Sequence, residues 1–135
     1  MLTLAVTVAA VLGSAAFAPA VAADPTAPAP PYVDDVEWAK WGDLSSLRVY
    51  PTESGREAAT LGSPIGPGAA WAEVLALSPD ADIPGMQAQF ECHWYYAELV
   101  EPGKTSWNLE PWRPEVGFDA MVSAGCNPGG TEEPF

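Results

Sequence analysis

MQAQFECHWYY, residues Met86–Tyr96, supports two secondary structures, and the choice between them sets the architecture. Met86, Ala88, Phe90, Cys92, Trp94 and Tyr96 alternate with Gln87, Gln89, Glu91 and His93, the period of two that a half-buried strand shows. Upstream, however, Asp82 and Pro84 are helix-start residues, and Met86, Phe90 and His93 also fall on one helical face. The reading adopted is a helix through about His93 that gives way to extended chain. The chain then reads as a small α+β domain with short helices and strands, rich in loops.

Flanking segments fit that class. After Gly66-Pro67-Gly68, the residues AAWAEVLAL place Trp71, Val74, Leu75 and Ser78 at helical spacing, and Pro79 stops the helix. One face of it buries Trp71. Glu53 to Thr60 reads as a short helix capped by Thr52 or Ser54. Val36, Trp38 and the Leu47-Arg48-Val49-Tyr50 run form two extended segments about a Trp41-Gly42-Asp43 turn, which suits a hairpin. Downstream, a short helix from Gly117-Phe118-Asp119 to Ala124 carries Phe118, Met121 and Val122 as its apolar stripe, and Gly125 ends it. Fifteen prolines and twelve glycines in 135 residues break long elements repeatedly.

The length allows one compact domain. Five Lys and Arg stand against eighteen Asp and Glu, a net charge of −13, which excludes a basic nucleic-acid footprint. Met1 to Ala23 carries no charged side chain. Leu2 to Phe17 is apolar and the segment ends in small residues, so residues 1–23 read as a signal peptide cleaved after Ala22 or Ala23, although no Lys or Arg precedes the apolar run. The alternative is an uncleaved membrane anchor. The Ala-rich, Pro19-interrupted run favours cleavage, and with it no stable membrane insertion. DPTAPAPP, residues 24–31, is a polyproline spacer, and residues 32–135 form the exported domain. The expected location is secreted, extracellular or at the cell envelope.

Two cysteines, Cys92 and Cys126, fit one disulfide in an exported domain. Closing a loop of about 35 residues is worth roughly 4 kcal/mol on the chain-entropy model. With one histidine there are too few soft ligands for zinc, and neither Asp80/Asp82 nor Asp34/Asp35/Glu37 has the spacing of an EF-hand loop. No metal or cofactor is expected. As the only histidine, His93 is the one candidate for histidine-dependent catalysis, and it lies in no recognisable triad context; a structural role is the simpler reading.

Six tryptophans serve either as core or as a stacking surface. WNLEPWRP, Trp107–Pro114, concentrates the question. Two prolines fix its path, and Trp107, Asn108, Glu110, Trp112 and Arg113 together supply the mixture that a ligand-contacting loop surface needs. On the alternative reading Arg113 stacks on a tryptophan and pairs with Glu110 or another carboxylate.

QFECH at Gln89–His93, WNLEPWRP at Trp107–Pro114, GCNPGG at Gly125–Gly130 and WGDLSSLRVYPT at Trp41–Thr52 together resemble a domain of unknown function found in small secreted proteins of mycobacteria and related actinobacteria. The resemblance implies a secreted, single-domain bacterial protein and brings no catalytic residue with it. The functional expectation is a noncatalytic extracellular or cell-envelope binding module, with cell-wall glycan or an extracellular protein as partner. The alternatives are a small secreted hydrolase of envelope glycan or lipid, and a structural or protein-interaction domain.

Overall fold

The computed structural model describes residues 17–20, 22 and 26–130. Most of the expected signal peptide, and the cleavage position after Ala23, lie outside the described residues. Among the described residues, no helix is long and apolar enough to cross a membrane.

The architecture is a three-stranded antiparallel sheet with four short helices and one disulfide, an α+β fold. β1 (Val33–Trp41) and β2 (Leu44–Pro51) pair as the expected hairpin, with Gly42 and Asp43 between Trp41 and its partner Leu44. β3 (Trp107–Leu109) adds to the other edge of β2, with Leu47 opposite Leu109 and Val49 opposite Trp107. These four side chains are all fully buried. The alternation of β2, with Leu47 and Val49 inward and Arg48 and Tyr50 half-buried, is what a strand with one covered face requires.

α1 (Glu53–Ala58) is capped by Thr52, whose hydroxyl accepts the Gly55 N–H at 2.8 Å. That hydroxyl also donates to the Pro31 carbonyl, and Ser54 donates to the Ala29 carbonyl. The end of the Pro-rich segment is therefore docked on the domain, its carbonyls satisfied by hydroxyls of α1. Gly55 makes this approach possible: a Cβ there would lie 2.0 Å from the Tyr32 carbonyl oxygen.

α2 (Gly68–Leu77) buries Trp71 and Val74 as expected. It is fastened to β1 by Glu73, which accepts the Tyr32 and Val33 N–H groups at 2.7 and 2.8 Å. Beyond it, the Trp38 indole donates to Ser78 and Asp80, and the Ser78 hydroxyl donates to Asp80. Those donors hold the Asp80 carboxyl below its ordinary value of 3.8, the Ser78 hydroxyl first and the Trp38 indole second.

α3 (Met86–Val100) is helical throughout. The expected change to extended chain after His93 does not occur, because the helix is covered on two sides. Met86, Phe90, Trp94 and Ala97 face the main core, and Cys92 belongs to a second, smaller cluster with Met121 and Cys126, against which Ala88 and Tyr96 pack. In the main core Phe90 lies 5.5, 6.2 and 6.0 Å from the rings of Trp71, Trp94 and Trp107.

α4 (Phe118–Ser123) ends where Gly125 was expected to end it. The Gly125 N–H bonds Val122 O at 2.9 Å and the Cys126 N–H bonds Met121 O at 3.0 Å, the pair of bonds that makes a Schellman motif. Gly125 takes φ 60° there, a left-handed conformation suited to glycine. The motif turns Cys126 back onto α3, where it bonds Cys92 as expected.

Two predictions concern stability. Gly55→Ala drives a methyl group into the Tyr32 carbonyl and should destabilise the domain by about 1–3 kcal/mol or more, read as a lower urea midpoint. A carboxyl with a depressed folded pKa adds stability above its unfolded value, and that stability is lost as pH falls through the folded one. The stability difference between wild type and Asp80→Ala should therefore be constant at neutral pH and shrink below pH 3.8, measured by chemical denaturation across an acid series.

Candidate functional site

Most of the octet Trp107–Pro114 is interior structure, with Pro114 exposed. Trp107 is 0% exposed, and Asn108, Glu110 and Arg113 are buried as well. Only Trp112 among the five expected contact residues is half-buried, and its indole donates to the Ser45 carbonyl at 3.0 Å. The expected contact surface is corrected accordingly: pairing of β3 with β2 turns Trp107 and Leu109 into the core, and the alternative role of Arg113 is the one the structure takes.

Arg113 Nε donates to Glu110 Oε2 at 2.6 Å, and both side chains are shut away from solvent. Ser46 donates to the other carboxylate oxygen at 2.8 Å. Arg113 Nη1 donates to the carbonyls of Pro128 and Gly130 at 3.2 and 2.9 Å, and its guanidinium carbon stands 4.5 Å from the centre of the Trp112 ring. The Glu110 backbone exchanges two 2.9 Å hydrogen bonds with the Gln89 side chain on α3. A buried charge pair in which both carboxylate oxygens and the Nε and Nη1 of the guanidinium are hydrogen-bonded is a structural clasp.

His93 is also buried, and its Nε2 lies 3.1 Å from the Asn108 carbonyl oxygen. A carbonyl oxygen only accepts, so this nitrogen carries the hydrogen. The bond ties α3 to β3.

His93 also borders a surface recess of about 240 Å³. It is lined by the Cys92–Cys126 disulfide, by His93, and by the apolar and aromatic side chains of Tyr96, Ala97, Val100 and Val122. Glu101 and Lys104, joined by a 3.3 Å ion pair, and Gly125 and Asn127 also line it. α3 and its C-cap supply the lining residues from Cys92 to Glu101, and α4 with its Schellman turn supplies Val122, Gly125, Cys126 and Asn127. The loop that carries Lys104 is held in place by Arg56, which donates to Glu98 and, at 2.6 Å, to the Lys104 carbonyl. Glu98 in turn accepts the Gly103 N–H at 3.0 Å.

The sequence singled out two groups that meet here, the cysteines and His93. Tyr96, Glu101, Lys104 and Asn127 carried no signal as site residues. Asn127 lay inside a quoted motif, GCNPGG, without being read as a site residue. Among the described residues no three or more His, Cys, Asp or Glu side chains converge as a metal site would require.

Fold and site together define a small α+β domain with a recess built on its single disulfide. The chain belongs to the family described as protein of unknown function (DUF2599), which it matches over residues 33–129. It is 60% identical over 106 residues to the uncharacterized protein Rv0477 of Mycobacterium tuberculosis, covering 78% of this chain and 72% of that one. It is 47% identical over 102 residues to the uncharacterized protein ML2452 of Mycobacterium leprae, covering 76% and 83%. No solved structure matches the chain.

Replacing Arg113 by Ala leaves the Glu110 carboxylate buried without its cation and should cost about 3–5 kcal/mol. The double replacement Glu110→Leu, Arg113→Met removes both charges and should cost clearly less. Urea unfolding of the three proteins measures the difference.

Proposed function

We propose that the protein is a noncatalytic binding module that works outside the cell or at the cell envelope, and that it engages cell-wall glycan or an extracellular protein through the recess above the Cys92–Cys126 disulfide. The observation that carries this reading is the recess itself. It combines apolar walls with a few polar groups at its edge, the composition of a ligand site, and rigid elements hold it on both sides. Its volume of about 240 Å³ lies below the roughly 300–1,000 Å³ of sites that enclose a whole drug-sized molecule. It suits one projecting group of a larger partner.

The noncatalytic part of the reading rests on His93. Its Nε2 is committed to the Asn108 carbonyl, which gives the imidazole a positioning task in the fold. The extracellular part rests on the apolar, uncharged N-terminal segment and on the disulfide.

The test is cosedimentation of the purified domain with insoluble mycobacterial cell envelope, and pull-down of envelope and culture-filtrate proteins, at low and high salt. Wild type should bind in one of these assays. Val122→Trp, which fills the recess, should weaken binding about tenfold or more, as loss of a central contact does. Trp112→Ala should bind as wild type does. Thermal unfolding confirms that each variant is folded. Absence of wild-type binding in both assays overturns the reading, and undiminished binding by folded Val122→Trp removes the recess from it.

A further inference from the structure

We propose that the recess receives a lysine or arginine side chain presented by a partner protein; this rests on the binding-module reading and names the chemistry of the occupant. Ala97, Val100 and Val122 offer an apolar path for a methylene stem, and long basic side chains bury their stems along such surfaces. Tyr96 lines the recess as well, and an aromatic ring attracts a cation.

The helix end that the recess borders, and the charge of the whole protein, point the same way. Ala97, Val100 and Glu101 belong to the last turn and C-cap of α3, the end at which a helix dipole favours positive charge. Glu101 stands at the edge with its side chain 64% exposed. Lys104 is the cation already at the edge, and its ammonium is paired with Glu101. Around all of this the protein carries a net charge of −13, which draws basic surfaces in and repels acidic ones.

The surroundings favour a protein over a polyol. Leu99 is 67% exposed and Val100 80%. Phe118, 45% exposed, packs its ring against Tyr95 and Tyr96. Val100 itself lines the recess, and Phe118 adjoins it through Tyr96. Exposed apolar groups beside a pocket with a charged edge mark a protein-interaction surface, because another protein can bury them and a hydroxyl-covered chain gains little from doing so.

The test is an NMR titration of the ¹⁵N-labelled, disulfide-intact domain with four probes: acetyl-lysine amide, acetyl-arginine amide, acetyl-norleucine amide and glucosamine. The two basic amides should shift the backbone signals of Tyr96, Val122 and Asn127. Norleucine, which keeps the stem without the charge, should bind about tenfold more weakly. Both effects should vanish in Val122→Trp, and Glu101→Gln should weaken the basic probes severalfold while leaving norleucine unchanged. Equal binding of norleucine overturns the cationic occupant. Shifts spread over the acidic surface, or retained in Val122→Trp, overturn the site. Glucosamine matching lysine overturns the choice of a protein side chain. Envelope binding that Val122→Trp abolishes, without any response to the basic amides, would sink this inference and leave the binding-module reading standing.

Discussion

The Glu110 carboxylate and the Arg113 guanidinium leave water together, and the rest of the domain is arranged so that neither is left unpaired. A buried charge without its partner is among the most costly things a small protein can contain. Three parts of the chain therefore converge on this pair. Ser46 comes from β2 and Gln89 from α3, while the carbonyls of Pro128 and Gly130 come from the end of the described chain. The pair lies just past β3, so meeting its needs also fixes where Trp107 and Leu109 enter the core. Hydrophobic burial by Phe90, Trp94 and Trp107 drives the collapse, but it is indifferent to direction. The hydrogen bonds of the clasp are directional, and they select one arrangement of sheet, helix and C-terminal segment.

The helical stretch Met86–Tyr96 shows why a period of two can mislead. Met86, Phe90 and Trp94 form one series spaced by four, and Ala88, Cys92 and Tyr96 form another, displaced from it by two residues. At 100° per residue the two series lie on nearly opposite faces of a helix. Each has its own cover, the main core for the first and the α4 and disulfide cluster for the second. Two interleaved helical stripes put an apolar residue at every second position, which a one-sided strand also does. Nothing within those eleven residues separates the cases. The second cover is supplied by a segment some thirty residues away.

Local signals were otherwise sufficient for the elements whose ends are set by short-range chemistry. Thr52 as a cap, Pro79 and Gly125 as stops, and the Gly42-Asp43 turn all act within a few residues, and all were legible. The octet Trp107–Pro114 was legible as a distinctive cluster but not as an interior one. Indoles, a carboxylate and a guanidinium make the same inventory whether they face a ligand or one another, and only the register of β3 on β2 decides between the two. The recess was legible through its cysteines and His93 alone, since its other residues come from the end of one helix, a loop and the turn after another. Their meeting is a property of the tertiary fold.

That meeting depends on a covalent bond in a way the main core does not. The cluster around the recess has three buried members, Cys92, Met121 and Cys126, with Ala88, Tyr96, Val116 and Val122 partly buried around them. So little apolar area gives α4 a weak hold on α3 by burial alone. The six-residue α4 is also too short to be stable in isolation. The disulfide and the Schellman turn therefore hold the α4 lining of the recess against α3. A recess of this construction is best maintained where disulfides persist, which agrees with an oxidising compartment. The geometry of the recess and the proposed extracellular setting thus support each other through one bond.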